Sequence, residues 1–204
     1  MERIAITWQV SDVSGWGVFG LNLINQLIKI DGLQPLLLLP PDLKNIDPIS
    51  QRLLEPLLKE QSELSRLSSL NIGKIAKISG AAVLHHLTDA LTISDVSKTF
   101  KGDKNLGIVF FETTTFDKLA LQHIEEFDSI IAGSSWNGEV LQEQGLKNIQ
   151  VLLQGVDTSL FRPFSNGREK LSNRFIIFSG GKLEYRKGQD IVLSAFKKFY
   201  SRHP

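Results

Sequence analysis

The stretch Arg3-Ile-Ala-Ile-Thr-Trp-Gln-Val10, and after it Gly15-Trp-Gly17-Val-Phe-Gly20, decides how the rest of the chain is read. Ile4, Ala5, Ile6, Trp8 and Val10 make a strand-like apolar run. Beyond the glycines, Val18, Leu21, Ile24, Leu27 and Ile28 recur at spacings of three and four, the pattern of one buried helical face. Strand, glycine turn and helix follow in that order. Glycines at these places let the chain turn tightly, bring backbone N–H groups close to a ligand and pack the helix against the strand. The start of such a helix carries partial positive charge and unpaired donors, so a phosphate is its natural guest, with Gly15 and Gly17 placed to meet it. Glycines that merely shape a βα turn would look the same, and the motif alone leaves both readings open.

Asp31-Gly32 stops the first helix, and the apolar run Gln34 to Leu39, ended by Pro40-Pro41, reads as a strand covered on both faces. A βαβ unit results, and its crossover makes the sheet parallel. Between Asp42 and Gly80 the leucines at 53, 54, 57, 58, 64, 67 and 70 predict helices with a break near Pro56, with Lys74 and Lys77 on a polar side. Ala81 to Leu84 is a short strand running into His85-His86. Asn105 to Phe111 is a stronger one, ending at Glu112 and three threonines. Phe116 to Phe127 has helical periodicity, Ser129 to Ala132 is a strand, Ser134 or Ser135 caps a helix that Gly145 ends, and Ile149 to Leu153 is a further strand. This alternation predicts an α/β fold built on a doubly wound, parallel, Rossmann-like sheet. Ligands of such sheets lie beyond the carboxyl ends of strands, so the loops beginning at Ser11, His85, Glu112 and Gly133 are the ones expected to matter.

A chain of 204 residues with 42% hydrophobic side chains can bury a real core. Its 23 basic and 22 acidic side chains leave a net charge of +1, so no global field favours nucleic acid. The absence of cysteine removes disulfides, thiolate nucleophiles and Cys-based metal sites, and fits a cytoplasmic protein. Glu2 and Arg3 lead straight into strand-like residues, so no secretory leader is expected, and no span approaches the roughly 18 to 20 apolar residues that cross a bilayer. Peripheral membrane attachment stays open.

Composition shifts between Gly155 and Asn173, where Gly155-Val-Asp157, Pro163 and Asn166-Gly167 replace the apolar runs. We expect a first domain over 1–154, a linker over 155–173 and the start of a second domain over 174–204. That start reads as a strand from Arg174 to Ser179, a turn Gly180-Gly181-Lys182, and a helix from Gln189 to Tyr200 with Ile191, Val192, Ala195, Phe196 and Phe199 on one face. One strand and one helix cannot bury their own apolar faces, so this domain is expected to be begun and not finished. Lys182, Arg186 and Lys187 stand beside the predicted helix start, an arrangement suited to a diphosphate whose charge grows as a bond to it breaks. A solvated turn would carry the same residues.

Gly155-Val-Asp157-Thr-Ser-Leu-Phe161-Arg-Pro163, followed by Phe178-Ser-Gly-Gly-Lys182-Leu-Glu-Tyr-Arg-Lys187-Gly188-Gln-Asp190, resembles the family 4 retaining glycosyltransferases of the GT-B fold. The resemblance covers essentially the whole chain, with 155–190 its specific part. It implies a GT-B N-terminal, acceptor-side domain joined to a truncated donor-binding unit. It also implies transfer of a sugar from a nucleotide-diphosphate donor to an acceptor hydroxyl with retention, without an obligatory metal or other cofactor. Lys182 and Lys187 match the family's pair of cations on the donor diphosphate, and Gly15 and Gly17 match the loop that approaches those phosphates. The family usually has arginine where Lys182 stands, and a planar fork is then replaced by a point charge. Where many members have a histidine after a middle strand, this chain has Glu112 and threonines. Glu112 contacts donor or acceptor, or only caps the next helix. Glu112 and His86 are the candidate catalytic residues, although histidines at the place of His85 and His86 are more often structural. The family's two downstream glutamates have no counterpart before Pro204, so the chain alone is expected to bind donor poorly and turn over little.

The implied partners are a nucleotide-sugar donor and an acceptor that is a saccharide, a lipid-linked molecule or a small molecule. Self-association through the unfinished unit also stays open. Two other readings compete. Gly15 to Gly20 with Asp42 at the distance of a ribose-binding acid fits an NAD(P)-dependent oxidoreductase domain. A shortened, non-catalytic homologue would act as a binding module, and exposure of Phe196 and Phe199 would favour it.

Overall fold

A computed structural model describes residues 2–70, 73–163 and 175–203, arranged as two compact units, Met1–Gly155 and Val156–Pro204. The first unit opens with β1 (Glu2–Ile6), shorter than its apolar run because Trp8 and Val10 leave the sheet to pack beneath α1 (Gly15–Leu27). Ser14 starts α1 by accepting a hydrogen bond from the Gly17 amide, and Gly17, Gly20, Leu21, Ile24 and Leu27 face inward, whereas Val18 is exposed. β2 (Leu33–Leu37) pairs parallel to β1 and forms one edge of the sheet, which is where Pro35 is tolerated.

The predicted break at Pro56 does not occur: α2 (Pro48–Leu70) is one helix with Pro56 inside it. Asp47 accepts from the Ile49 and Ser50 amides at its start. Proline removes one backbone bond. Packing outweighs that loss, because Leu54 and Leu57 pack into one apolar cluster and Leu64 into another. Arg3 of β1 and Gln34 of β2 both bond to Glu60 of this helix. β3 (Ala76–Leu87) begins five residues before the predicted strand, so Lys77 lies on a strand and pairs with Asp103. A short α3 (Asp95–Thr99) leads to β4 (Phe100–Val109), and α4 (Lys118–Ile124) is confined to the centre of its predicted span. β5 (Ser129–Ala132), α5 (Ser135–Glu143), capped by Ser134 and followed by Gly145 at φ +90°, and β6 (Ile149–Val151) complete the unit.

All six strands are parallel, in the order β2-β1-β3-β4-β5-β6, so the fold is α/β with a doubly wound, Rossmann-like sheet. Alternation along the strands sorts the core. Ile4, Ile6, Leu84 and Ile108 pack with α1, while Ala5, Val83, Leu87, Val109 and Ile130 pack on the opposite face with residues of α2 to α5. No helix among the described residues is long and apolar enough to cross a membrane.

In the second unit α6 (Gln189–Arg202) forms as expected, after a 3-10 turn at Tyr185–Lys187. The predicted strand is not seen: 175–179 have no regular structure, because a ladder needs a neighbour and none lies beside them among the described residues. Arg174 and linker residues 164–173 lie outside the described residues.

Candidate functional site

From β1 the chain crosses to β2 on one side and then returns to β3 on the other, so the carboxyl ends of β1 and β3 mark the switch point where an open α/β sheet parts to admit a ligand. The N-terminus of α1 opens there. Ser14 takes the Gly17 amide at 3.0 Å, leaving the Gly15 and Trp16 amides without an acceptor among the described residues. The two glycines differ in kind. A Cβ at Gly17 would stand 2.1 Å from Ser11 Oγ, so Gly17 is required by packing. A Cβ at Gly15 would meet nothing within 4 Å, so only Gly15 faces open space.

Beside this opening lies a cluster of rings that sequence reasoning missed. Trp16 packs against His86 at 4.2 Å between centroids, Phe110 at 4.9 Å, Trp8 at 5.3 Å and Phe19 at 5.9 Å, and Trp8 Nε1 donates to the Trp16 carbonyl at 3.0 Å. The signal for it was period-two alternation: Trp8, His86 and Phe110 follow β1, end β3 and follow β4 on one face of the sheet. Phe110 lies across Gly133, where a Cβ would fall 1.8 Å from the ring.

His86 is half-buried against Trp16, and burial lowers its pKa. Its amide donates to Thr7 Oγ1, which also accepts from the buried Ser97 hydroxyl, so the ends of β1, β3 and α3 are locked together. His85, one residue earlier, points the other way and is fully buried. Its Nε2 lies 3.1 Å from Asn105 Oδ1 and its ring packs edge-on to Phe127. That is a core histidine. Glu112 is exposed on the loop after β4 and does not cap α4, whose N-cap is Asp117. Asp42, the ribose-binding candidate, has its carboxylate engaged by Asn45 Nδ2 at 2.8 Å, within a 3-10 turn after β2.

The second unit holds the remaining predicted residues together. Glu184 accepts from Arg186 Nε at 3.0 Å and lies 3.9 Å from Lys182 Nζ, while the Lys182 carbonyl accepts from Gln189 Nε2. Lys187 ends the 3-10 turn, and Gly188, at φ +63°, turns the chain into α6 with no side-chain cap. Lys182, Arg186 and Lys187 thus precede a helix start without a side-chain cap, with Glu184 among them and Asp190 in the first turn of the helix. Among the described residues no group of three or more His, Asp or Glu gathers as a metal site. No family model and no curated protein matches this chain.

Proposed function

We propose that this chain belongs to a glycosyltransferase that moves a sugar from a nucleotide-diphosphate donor to an acceptor hydroxyl with retention of configuration. The observation that carries the reading is the open start of α1 at the switch point, where the Gly15 and Trp16 amides have no acceptor among the described residues and Gly15 faces open space. Free amides at a helix start suit phosphate oxygens. The cationic turn at Lys182, Arg186 and Lys187 supports the same chemistry. As the sugar–phosphate bond breaks, negative charge builds on the diphosphate, and fixed cations stabilise it. The acceptor proton passes to the departing phosphate, so no protein base is required. His86, kept toward its neutral form by burial, presents a ring nitrogen able to accept from a hydroxyl, and Glu112 stands at the next strand end.

Calorimetric titration with UDP, GDP and NAD tests the reading. A nucleoside diphosphate is expected to bind, and Lys187→Ala to weaken it at least tenfold, the scale of one lost charge-assisted contact. Binding of NAD alone rejects the transferase. A non-catalytic binding module is the second reading, favoured by the exposure of Phe196 and Phe199 on α6. It predicts diphosphate binding without release of nucleotide from any sugar donor.

A further inference from the structure

The indole of Trp136 is 42% exposed, yet it is held in place. It occupies the second position of α5, on the same carboxyl edge of the sheet as the crevice. The Phe111 ring lies behind it at 5.7 Å between centroids, and Phe116 braces Phe111 edge-on at 4.9 Å. Beneath both rings, buried Asn137 donates from Nδ2 to the Phe111 carbonyl at 3.0 Å, tying α5 to the end of β4. An indole backed on one side and open on the other is an apolar plate presented to water. The loop that follows Phe111 is polar. Glu112 and three successive threonines follow Phe111, and Gln144 Nε2 donates to the Thr114 carbonyl at 3.4 Å, holding that loop against α5. Ser135, next to the indole in the chain, is exposed.

An apolar plate beside a loop of hydroxyls and a carboxylate suits a pyranose, whose C–H face packs on an aromatic ring while its hydroxyls exchange water for polar partners. An alkyl chain would strip water from such polar groups and give nothing back. We propose that Trp136 is the stacking platform of a saccharide subsite, which makes the acceptor of the transfer a carbohydrate. The assignment rests on the transferase reading for its role in a reaction, and on the packing alone for its ligand.

Saturation-transfer NMR on the full chain with maltose, methyl α-mannopyranoside and uridine as probes tests it. Ring C–H protons of at least one sugar are expected to receive saturation. The effect should fall at least fivefold in Trp136→Ala and return in Trp136→Phe, with both variants melting within a few degrees of the parent. No saturation of either sugar, an equal effect in Trp136→Ala, or transfer confined to the uracil ring overturns the subsite. Calorimetry with UDP and GDP on Trp136→Ala separates the two ideas. Retained diphosphate binding with lost sugar saturation supports both. Retained diphosphate binding with unchanged sugar saturation removes the subsite alone. Sugar saturation that depends on Trp136, in a parent chain that binds neither diphosphate, removes the transferase and keeps the subsite.

Discussion

His85 and His86 are neighbours in the chain and opposites in setting, since successive strand residues point to opposite faces. Asn105 Oδ1 already accepts from the Gly102 amide, so the His85 contact to that oxygen requires a proton on Nε2, and the buried Nδ1 has no hydrogen-bond partner among the described residues. Burial, the larger effect, pushes the His85 pKa down to about 4 from 6.5, although the bond to Asn105 opposes it. The fold therefore prefers the neutral ring. Its contribution is complete above about pH 6.5 and is lost as pH falls toward 4, amounting to about 2 kcal/mol by pH 5. Unfolding free energies from urea titration at pH 7 and pH 5 should differ by that much more in the parent than in His85→Gln; equal differences would show that His85 is not the responsible group. The glycines divide in the same concrete way. Gly17→Ala drives a methyl into Ser11 and should cost more than 2 kcal/mol, in the range of overpacked cores. Gly15→Ala should leave the melting temperature within a few degrees and weaken UDP or GDP binding. Undiminished binding would remove the α1 start from the site.

At the scale of elements, α5 shows what holds the rim together. Ser134 Oγ accepts from the Asn137 amide, and the Asn137 side chain reaches the Phe111 carbonyl, so one turn of helix is fastened to the neighbouring strand. Loss of the cap in Ser134→Ala should cost about 1 kcal/mol. Asn137→Ala should cost about 1–3 kcal/mol, because the Phe111 carbonyl loses its buried partner. Unfolding midpoints that rank the two variants in the reverse order would contradict this account. Caps of this kind were visible in the sequence, as Ser134 and Gly145 were, whereas α1 ends at Leu27 with Ile28 as its C-cap, before the Asp31-Gly32 stop that the sequence suggested. The course of α2 was not. Pro56 is a local signal for a break, and only the clusters that take Leu54, Leu57 and Leu64 make continuation the better outcome. Leu91 is the other case. It sits at φ +60°, which glycine ordinarily supplies, because its side chain is buried in the core beside β3 and β4.

For the whole molecule, stability resides in the first unit. All three apolar clusters lie within it, and no described residue of 156–203 is buried. A protein of residues 1–155 should therefore fold and show the same main thermal transition as the full chain, within about 2–4 °C, the shift that about 1 kcal/mol produces at this size. A drop of 10 °C or more would show that 156–204 stabilises the sheet.

The class of the fold was settled by local chemistry. Apolar runs of strand length, glycine turns and helical periodicity are written within a few residues of one another, and they led to a parallel α/β sheet. The placing of Gly15 at an open helix start was legible for the same reason. What the tertiary structure decided is everything that depends on residues far apart in the chain. It put His86 with Trp16 and Phe110, sank His85 beside Asn105, carried α2 through a proline and left Phe175 to Ser179 without a ladder. The physical reason is that propensities and turns are set by neighbours along the backbone, whereas burial and strand pairing are set by neighbours in space, whose identity no local pattern records.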